Sequence, residues 1–149
     1  MDELERFLTE FLPRQEEAEK ALHDGIVQPR IDLWTRNDPV TLFGAAVPCI
    51  SGWDEVQPAF DWVASRFRHC TSYRFEVVAA GVSGDLAYVA GFEHTTAEVE
   101  GVETSYTLRS THVYRREDGQ WRIVHRHGDA PPRDRRISDD TMRSAVEQP

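Results

Sequence analysis

Six histidines are spread along the 149 residues, and His112, His125 and His127 fall close together in one alternating stretch. Imidazole changes charge near neutral pH. Several on one surface can supply a general acid or base, a set of ligand donors, or a metal site. Asp118-Gly119 is a two-residue hairpin signal. Pairing outward from it sets Glu117 opposite Gln120, Arg116 opposite Trp121 and Tyr114 opposite Ile123. Continued in register, His112 meets His125 and Ser110 meets His127. One face then carries Ser110, His112, Tyr114, Trp121, Ile123, His125 and His127. The other carries Arg109, Thr111, Val113, Arg115, Arg122, Val124 and Arg126. The aromatic face is predicted to turn toward the core. One residue more in the connection would separate the histidines.

Three readings of that face stay open. The rings are hydrogen-bonded core residues, or they line a pocket as donors and proton carriers, or His125-x-His127 with His112 binds a metal. No carboxylate spacing reinforces the metal reading. Glu93 is the carboxylate best placed for acid–base work, because its strand otherwise reads Leu86, Ala87, Tyr88, Val89, Ala90, Gly91 and Phe92. Turned inward, it would have a raised pKa; turned outward, it would be an ordinary surface acid. Asp129, at the end of the last strand, divides the same way. Trp34, Tyr88 and Tyr114 are the expected pocket walls, and Asp129 joins them as a ligand contact. The chain has no P-loop, dinucleotide glycine fingerprint, GxSxG or HExxH, which removes most cofactor-dependent classes; no cofactor is expected, with a histidine metal site as the lesser alternative.

These residues need elements to hold them. Leu4, Phe7, Leu8 and Phe11 recur at helical spacing, with a break near Pro13 before a second helix bearing Ala18, Ala21 and Leu22. A third short helix around Ile31, Leu33 and Trp34 ends before the turn Asn37-Asp38-Pro39. Val40–Phe43 reads as a strand. Trp53, Val56, Phe60, Val63, Ala64 and Phe67 form one helix face, and Pro58 marks the point where that helix properly begins. Four strands follow, roughly 73–82, 85–98, 104–117 and 120–129, joined at Ser83-Gly84, Glu100-Gly101 and Asp118-Gly119. Helices first and an antiparallel meander afterwards predict an α+β domain over 1–129. Residues 130–149 read as a tail with a helical turn near Met142–Val146.

Composition narrows the function classes. Apolar residues make up 40% and charged residues 29%, which is globular rather than disordered. The formal net charge of −9 argues against sequence-independent binding to nucleic acid. No apolar run approaches the roughly 18 residues of a membrane span, and Met1-Asp2-Glu3 lacks a basic leader. Cys49 and Cys70 have no CxxC spacing and read as reduced thiols. A cytoplasmic protein without membrane or nucleic-acid partners is expected.

The run from Leu108 to His127 resembles the last hairpin of the nuclear transport factor 2-like superfamily, in its SnoaL-like branch. Leu33-Trp34 followed by Asp38–Gly44, and Ser83–Val89, resemble other segments of that fold. Together they span about residues 10–129. The resemblance implies a cone-shaped barrel, in which a curved antiparallel sheet wraps the helices and encloses one pocket. Relatives include steroid isomerases, polyketide cyclases, an epoxide hydrolase, scytalone dehydratase and a kinase association domain; fold alone transfers none of their reactions. The steroid-isomerase set of one Tyr and two Asp is not placed here. The Trp121-x-x-x-His125-x-His127 ending is similar to the kinase association domain and to an uncharacterised SnoaL-like group. The implied protein holds a small apolar or partly oxygenated molecule, as an isomerase, cyclase or hydrolase, with His112, His125, His127 and Glu93 as proton carriers. A non-catalytic binding or assembly module is the alternative. A homodimer is expected through the outer Arg and Val residues of the last two strands.

Overall fold

Asp2 starts the first helix by accepting the Glu5 N–H at 2.7 Å, which satisfies one of the donors a helix N-terminus leaves open. In the computed structural model, which describes residues 1–132, this helix is α1 (Glu3–Glu10) and α2 (Leu12–Leu22) follows it directly. Pro13 lies in the first turn of α2, where a missing N–H costs nothing. After α3 (Gln28–Leu33) come two short strands, β1 (Thr41–Phe43) and β2 (Ile50–Ser51).

Helix α4 spans Trp53–Ser65, so it begins before Pro58 rather than at it. The reason lies outside the helix. Asp38 accepts the Trp53 N–H at 3.0 Å, and Gly52 takes φ 90°, which lets the chain enter the turn. Phe67, expected on this helix face, is instead the first residue of β3 (Phe67–Ser83). β4 (Leu86–Val99), β5 (Val102–Glu117) and β6 (Gln120–Asp129) complete the meander. Asp118 and Gly119 have φ 51° and 77°, the conformation a two-residue hairpin turn requires.

The strand order is β2-β1-β6-β5-β4-β3. Every pairing is antiparallel except β1 with β6, which run parallel. Among the described residues the sheet does not close, and β2 and β3 are its edges. Register shifts in β3 and near the start of β6 bend it into a curved wall. The helices fill its concave side. Phe7 and Phe11 of α1 and its end meet Tyr114 edge-on, with ring centres 4.8 and 5.3 Å apart. Trp34 meets Phe60 of α4 at 4.8 Å. Trp121, expected inside, is half-buried at the rim against Phe7. Among the described residues, no helix is long and apolar enough to cross a membrane. The helical turn expected near Met142–Val146 lies outside the described residues.

Candidate functional site

One extra residue decides which side chains of β6 reach the interior. The hairpin register holds as expected from Glu117–Gln120 to Tyr114–Ile123, but the next pair is Val113 with His125. Val124 is bulged out. From there His112 faces Arg126, Thr111 faces His127 and Ser110 faces Gly128. The expected cluster of three histidines is therefore divided between two faces. His112 is fully buried on the concave side. His125 and His127 lie on the convex side. His125 Nδ1 is 2.6 Å from Thr41 Oγ1, and His127 is exposed beside Asp129. The three rings do not converge on a metal. Arg126, expected outside, is buried within.

The other expected residues separate in the same way. Tyr88 is 45% exposed on the convex side of the sheet rather than turned toward the interior. Its ring covers Gly81, where a Cβ would come within 2.8 Å of it. Asp129 is a surface acid paired with Arg109 at 2.8 Å. Trp34 and Tyr114 are core residues, and the Tyr114 hydroxyl donates to Gln15 Oε1 at 2.6 Å. Glu93 does turn inward, but its carboxyl is not raised. Burial is the strongest single influence and pushes it up, but the charge and hydrogen bond of Arg126, with smaller help from His112 and the Tyr73 hydroxyl, together outweigh burial and hold it below the usual range.

Two ion pairs are built into the concave side. Arg126 Nη2 lies 2.6 Å from Glu93 Oε1, with side-chain exposures of 8% and 3%. Tyr73 donates its hydroxyl to Glu93 Oε2. Arg126 Nη1 reaches His112 Nε2 at 3.2 Å, so that nitrogen accepts and the ring proton sits on Nδ1. Burial and the neighbouring guanidinium push the His112 pKa down to about 3, which leaves it a neutral acceptor. The second pair joins Arg30 of α3 to Glu19 of α2. Nε donates to Oε1 at 3.0 Å and Nη2 to Oε2, the two-pronged geometry a guanidinium favours.

Beside these pairs lies a cavity of about 340 Å³, walled by Leu22, Leu42, Val47, Val63, Phe67 and Leu108. Its polar border is formed by His23, Arg30, Tyr106 and Arg126, with Arg66 and Thr104 at the edge. His23 Nδ1 is 2.7 Å from the Glu19 carbonyl oxygen, which can only accept. Nδ1 therefore carries the proton, and Nε2 accepts from the Tyr106 hydroxyl at 2.7 Å. Burial lowers the His23 pKa and pushes the Tyr106 hydroxyl up to about 12. At neutral pH the site thus holds a neutral base and a protonated phenol. A larger groove of about 650 Å³ passes Thr35, Asn37, Glu117 and Arg122. Its lining is polar apart from Trp34, and its Glu117 is already engaged, accepting from the Thr35 hydroxyl and from Arg115 behind it. The smaller cavity has the apolar enclosure and convergent polar groups of a ligand site.

None of the expected site residues borders this cavity; Glu93 and His112 stand one layer behind Arg126, which does. His23, Arg30, Tyr106 and Arg126 escaped the sequence reading. A signal for the helical part exists. Leu12, Gln15, Ala18, Glu19, Leu22 and His23 follow one helical stripe, and its polar members are buried with its apolar ones.

Residues 20–132 match the SnoaL-like domain family. Solved structures with the same fold include a dehydratase candidate of the NTF2-like family from Streptomyces avermitilis, at 22% identity and TM-score 0.67, covering 80% of this chain and 92% of that one. A ketosteroid isomerase candidate from Parabacteroides distasonis has 16% identity and TM-score 0.63, covering 82% and 86%. An uncharacterised protein with a cystatin-like fold from Caulobacter vibrioides has 14% identity and TM-score 0.70, covering 95% and 99%. No curated protein matches the chain. At these identities the structures speak to fold alone.

Proposed function

Because the chain belongs to the SnoaL-like domain family, we propose that it takes a small, mostly apolar oxygenated molecule into the cone cavity and moves a proton on it. The observation that carries this reading is the His23–Tyr106 pair at the border of an apolar cavity. The Glu19 carbonyl fixes His23 in the tautomer whose free lone pair points to Tyr106. A carbonyl entering the cavity takes the Tyr106 proton as its hydrogen-bond donor. His23 Nε2, released from Tyr106, accepts a proton from the carbon next to that carbonyl. The electron pair of the broken C–H bond passes to the carbonyl oxygen as an enolate that the Tyr106 hydroxyl holds. Returning the proton from His23 to another carbon completes an isomerisation, and returning it to a departing β-hydroxyl releases water and completes a dehydration. The S. avermitilis and P. distasonis candidates for those two reaction types share this fold, and the reaction proposed for this chain rests on its own His23 and Tyr106.

The test is exchange of α-protons for deuterium in a panel of small ketones, followed by NMR. Exchange faster than buffer, reduced about 10²-fold or more by His23→Gln, is expected. A parent protein no faster than buffer, or a His23→Gln protein as fast as the parent, refutes it. One observation favours a binding module without turnover: among the described residues each buried carboxylate is held by an arginine, and no carboxylate borders the cavity. Ligand binding without exchange identifies that case. For assembly we propose a homodimer through the convex face, where Val78, Leu86 and Tyr88 are exposed beside Arg109 and Arg115. Light scattering that shows only monomer at micromolar concentration overturns it.

A further inference from the structure

Arg30 and Arg126 border the cavity, whereas their carboxylate partners Glu19 and Glu93 do not. Each ion pair is therefore oriented, with its cationic side toward the space and its anionic side toward the protein. The four charges cancel in sum, but a molecule in the cavity meets the positive ends first. The donor inventory points the same way. A guanidinium offers five N–H groups. Arg30 commits Nε and Nη2 to Glu19, and its Nη1 has no partner among the described residues. Arg126 commits Nη2 to Glu93 and Nη1 to His112, and its Nε has none. Both side chains are more than nine-tenths buried, yet neither uncommitted nitrogen is sealed off, so each opens on accessible space rather than on packed protein.

We propose that the cavity selects ligands bearing a carboxylate on an apolar body, with the carboxylate oxygens accepting from the uncommitted N–H groups of Arg30 and Arg126. This deepens the cavity reading above and rests on it. The apolar walls take the body, and His23 and Tyr106 stand at the same border, within reach of a second oxygenated group on the same molecule. The two glutamates have a definite task in this arrangement. They hold the guanidiniums rigid and keep the empty cavity free of an unbalanced charge. Arginine suits the task better than lysine, because its planar fork serves one carboxylate behind and another in front.

The experiment uses 4-phenylbutyrate, its amide and the corresponding alcohol, titrated calorimetrically into the full chain. The acid is expected to bind at least ~10-fold more tightly than either neutral analogue. Arg126→Lys and Arg30→Lys each keep a charge beside the glutamate and remove the fork. Each is expected to weaken the acid by about 10-fold while leaving the alcohol unchanged. In the unsubstituted protein, the Arg126 Nε–H NMR signal is expected to move on adding acid and to stay on adding alcohol; this arm holds even if a variant fails to fold. Neutral analogues binding as tightly as the acid overturn the carboxylate assignment and leave the cavity reading standing. An acid whose binding moves neither the Arg126 signal nor responds to either lysine variant overturns it as well. Failure of all three probes to bind overturns both readings.

Discussion

Arg126→Met leaves the Glu93 carboxylate buried with only Tyr73 for company. Removing one partner of a buried pair costs about 3–5 kcal/mol, because the remaining charge is uncompensated. With a urea slope near ~2 kcal/mol/M, the unfolding midpoint at pH 7 should fall by about 2 M. The double substitution Glu93→Leu with Arg126→Met removes both charges and should recover most of that loss. The pH dependence gives a second, sharper reading. In the parent, the folded Glu93 carboxyl lies below its unfolded value of about 4.3, so its contribution is complete above that pH and disappears as pH falls through the folded pKa. In the variant, burial acts without the arginine and the folded pKa moves above 4.3. The penalty is then largest at neutral pH and shrinks as the carboxyl takes up a proton. The stability gap between parent and variant should close between pH 7 and 5. A gap that stays constant or widens over that range, or a double variant as unstable as the single one, refutes the claim that Arg126 holds a buried carboxylate.

The histidines predict an opposite trend for the parent itself. Burial lowers the folded pKa of both His23 and His112, so their contribution is complete above about pH 6.5 and is lost as pH falls below it; a urea midpoint that rises from pH 7.5 to 5 contradicts this. Phe60→Ala, at a fully buried ring, should cost about 3–5 kcal/mol. Trp121→Ala, at a half-buried ring with Arg116 4.5 Å above it, should cost less, roughly 2–3 kcal/mol; denaturation curves ranking them in reverse would place Trp121 deeper than observed. His125→Ala and His127→Ala should leave ligand binding in the cavity within about twofold of the parent, since both rings lie across the sheet from it. A tenfold loss would mean that the convex face communicates with the cavity.

Much of the architecture could be read because it follows local rules. The turn at Asp118-Gly119, the stripe at Phe7 and Phe11, and the helix face at Val56 and Phe60 each depend on neighbours close in sequence. The site could not be read so far, and the causes are specific. Alternation counts residues and cannot see a bulge, so one unpaired valine turned Arg126 inward and two histidines outward. The sequence leaves both faces of β4 open for Glu93, because its run of small and apolar residues shows no alternation, and the partner of Glu93 comes from β6, where an unbulged register places Arg126 on the outer face. His23 caps the end of α2 and Arg30 lies on α3, and nothing local signals that they border one cavity with Tyr106. Sequence-distant charge neutralisation is what the linear pattern lacks: Glu93 looked like an acid awaiting a raised pKa because its arginine was out of view.

The bulge at Val124 also makes the chemistry of the cone a question of parity. Had Val124 stood opposite Val113, the same amino acids would present imidazoles to the interior and a guanidinium to the outside. Composition, charge and length would scarcely change, yet the concave wall would exchange a permanent cation for titratable rings. A lineage can therefore rewrite the character of this cavity by gaining or losing one residue in a strand, with no substitution at any lining position. An ungapped comparison of two such chains would align Arg126 with a residue of the opposite face. Assigning function across relatives of this fold thus requires counting the residues of each strand to the turn before matching their identities.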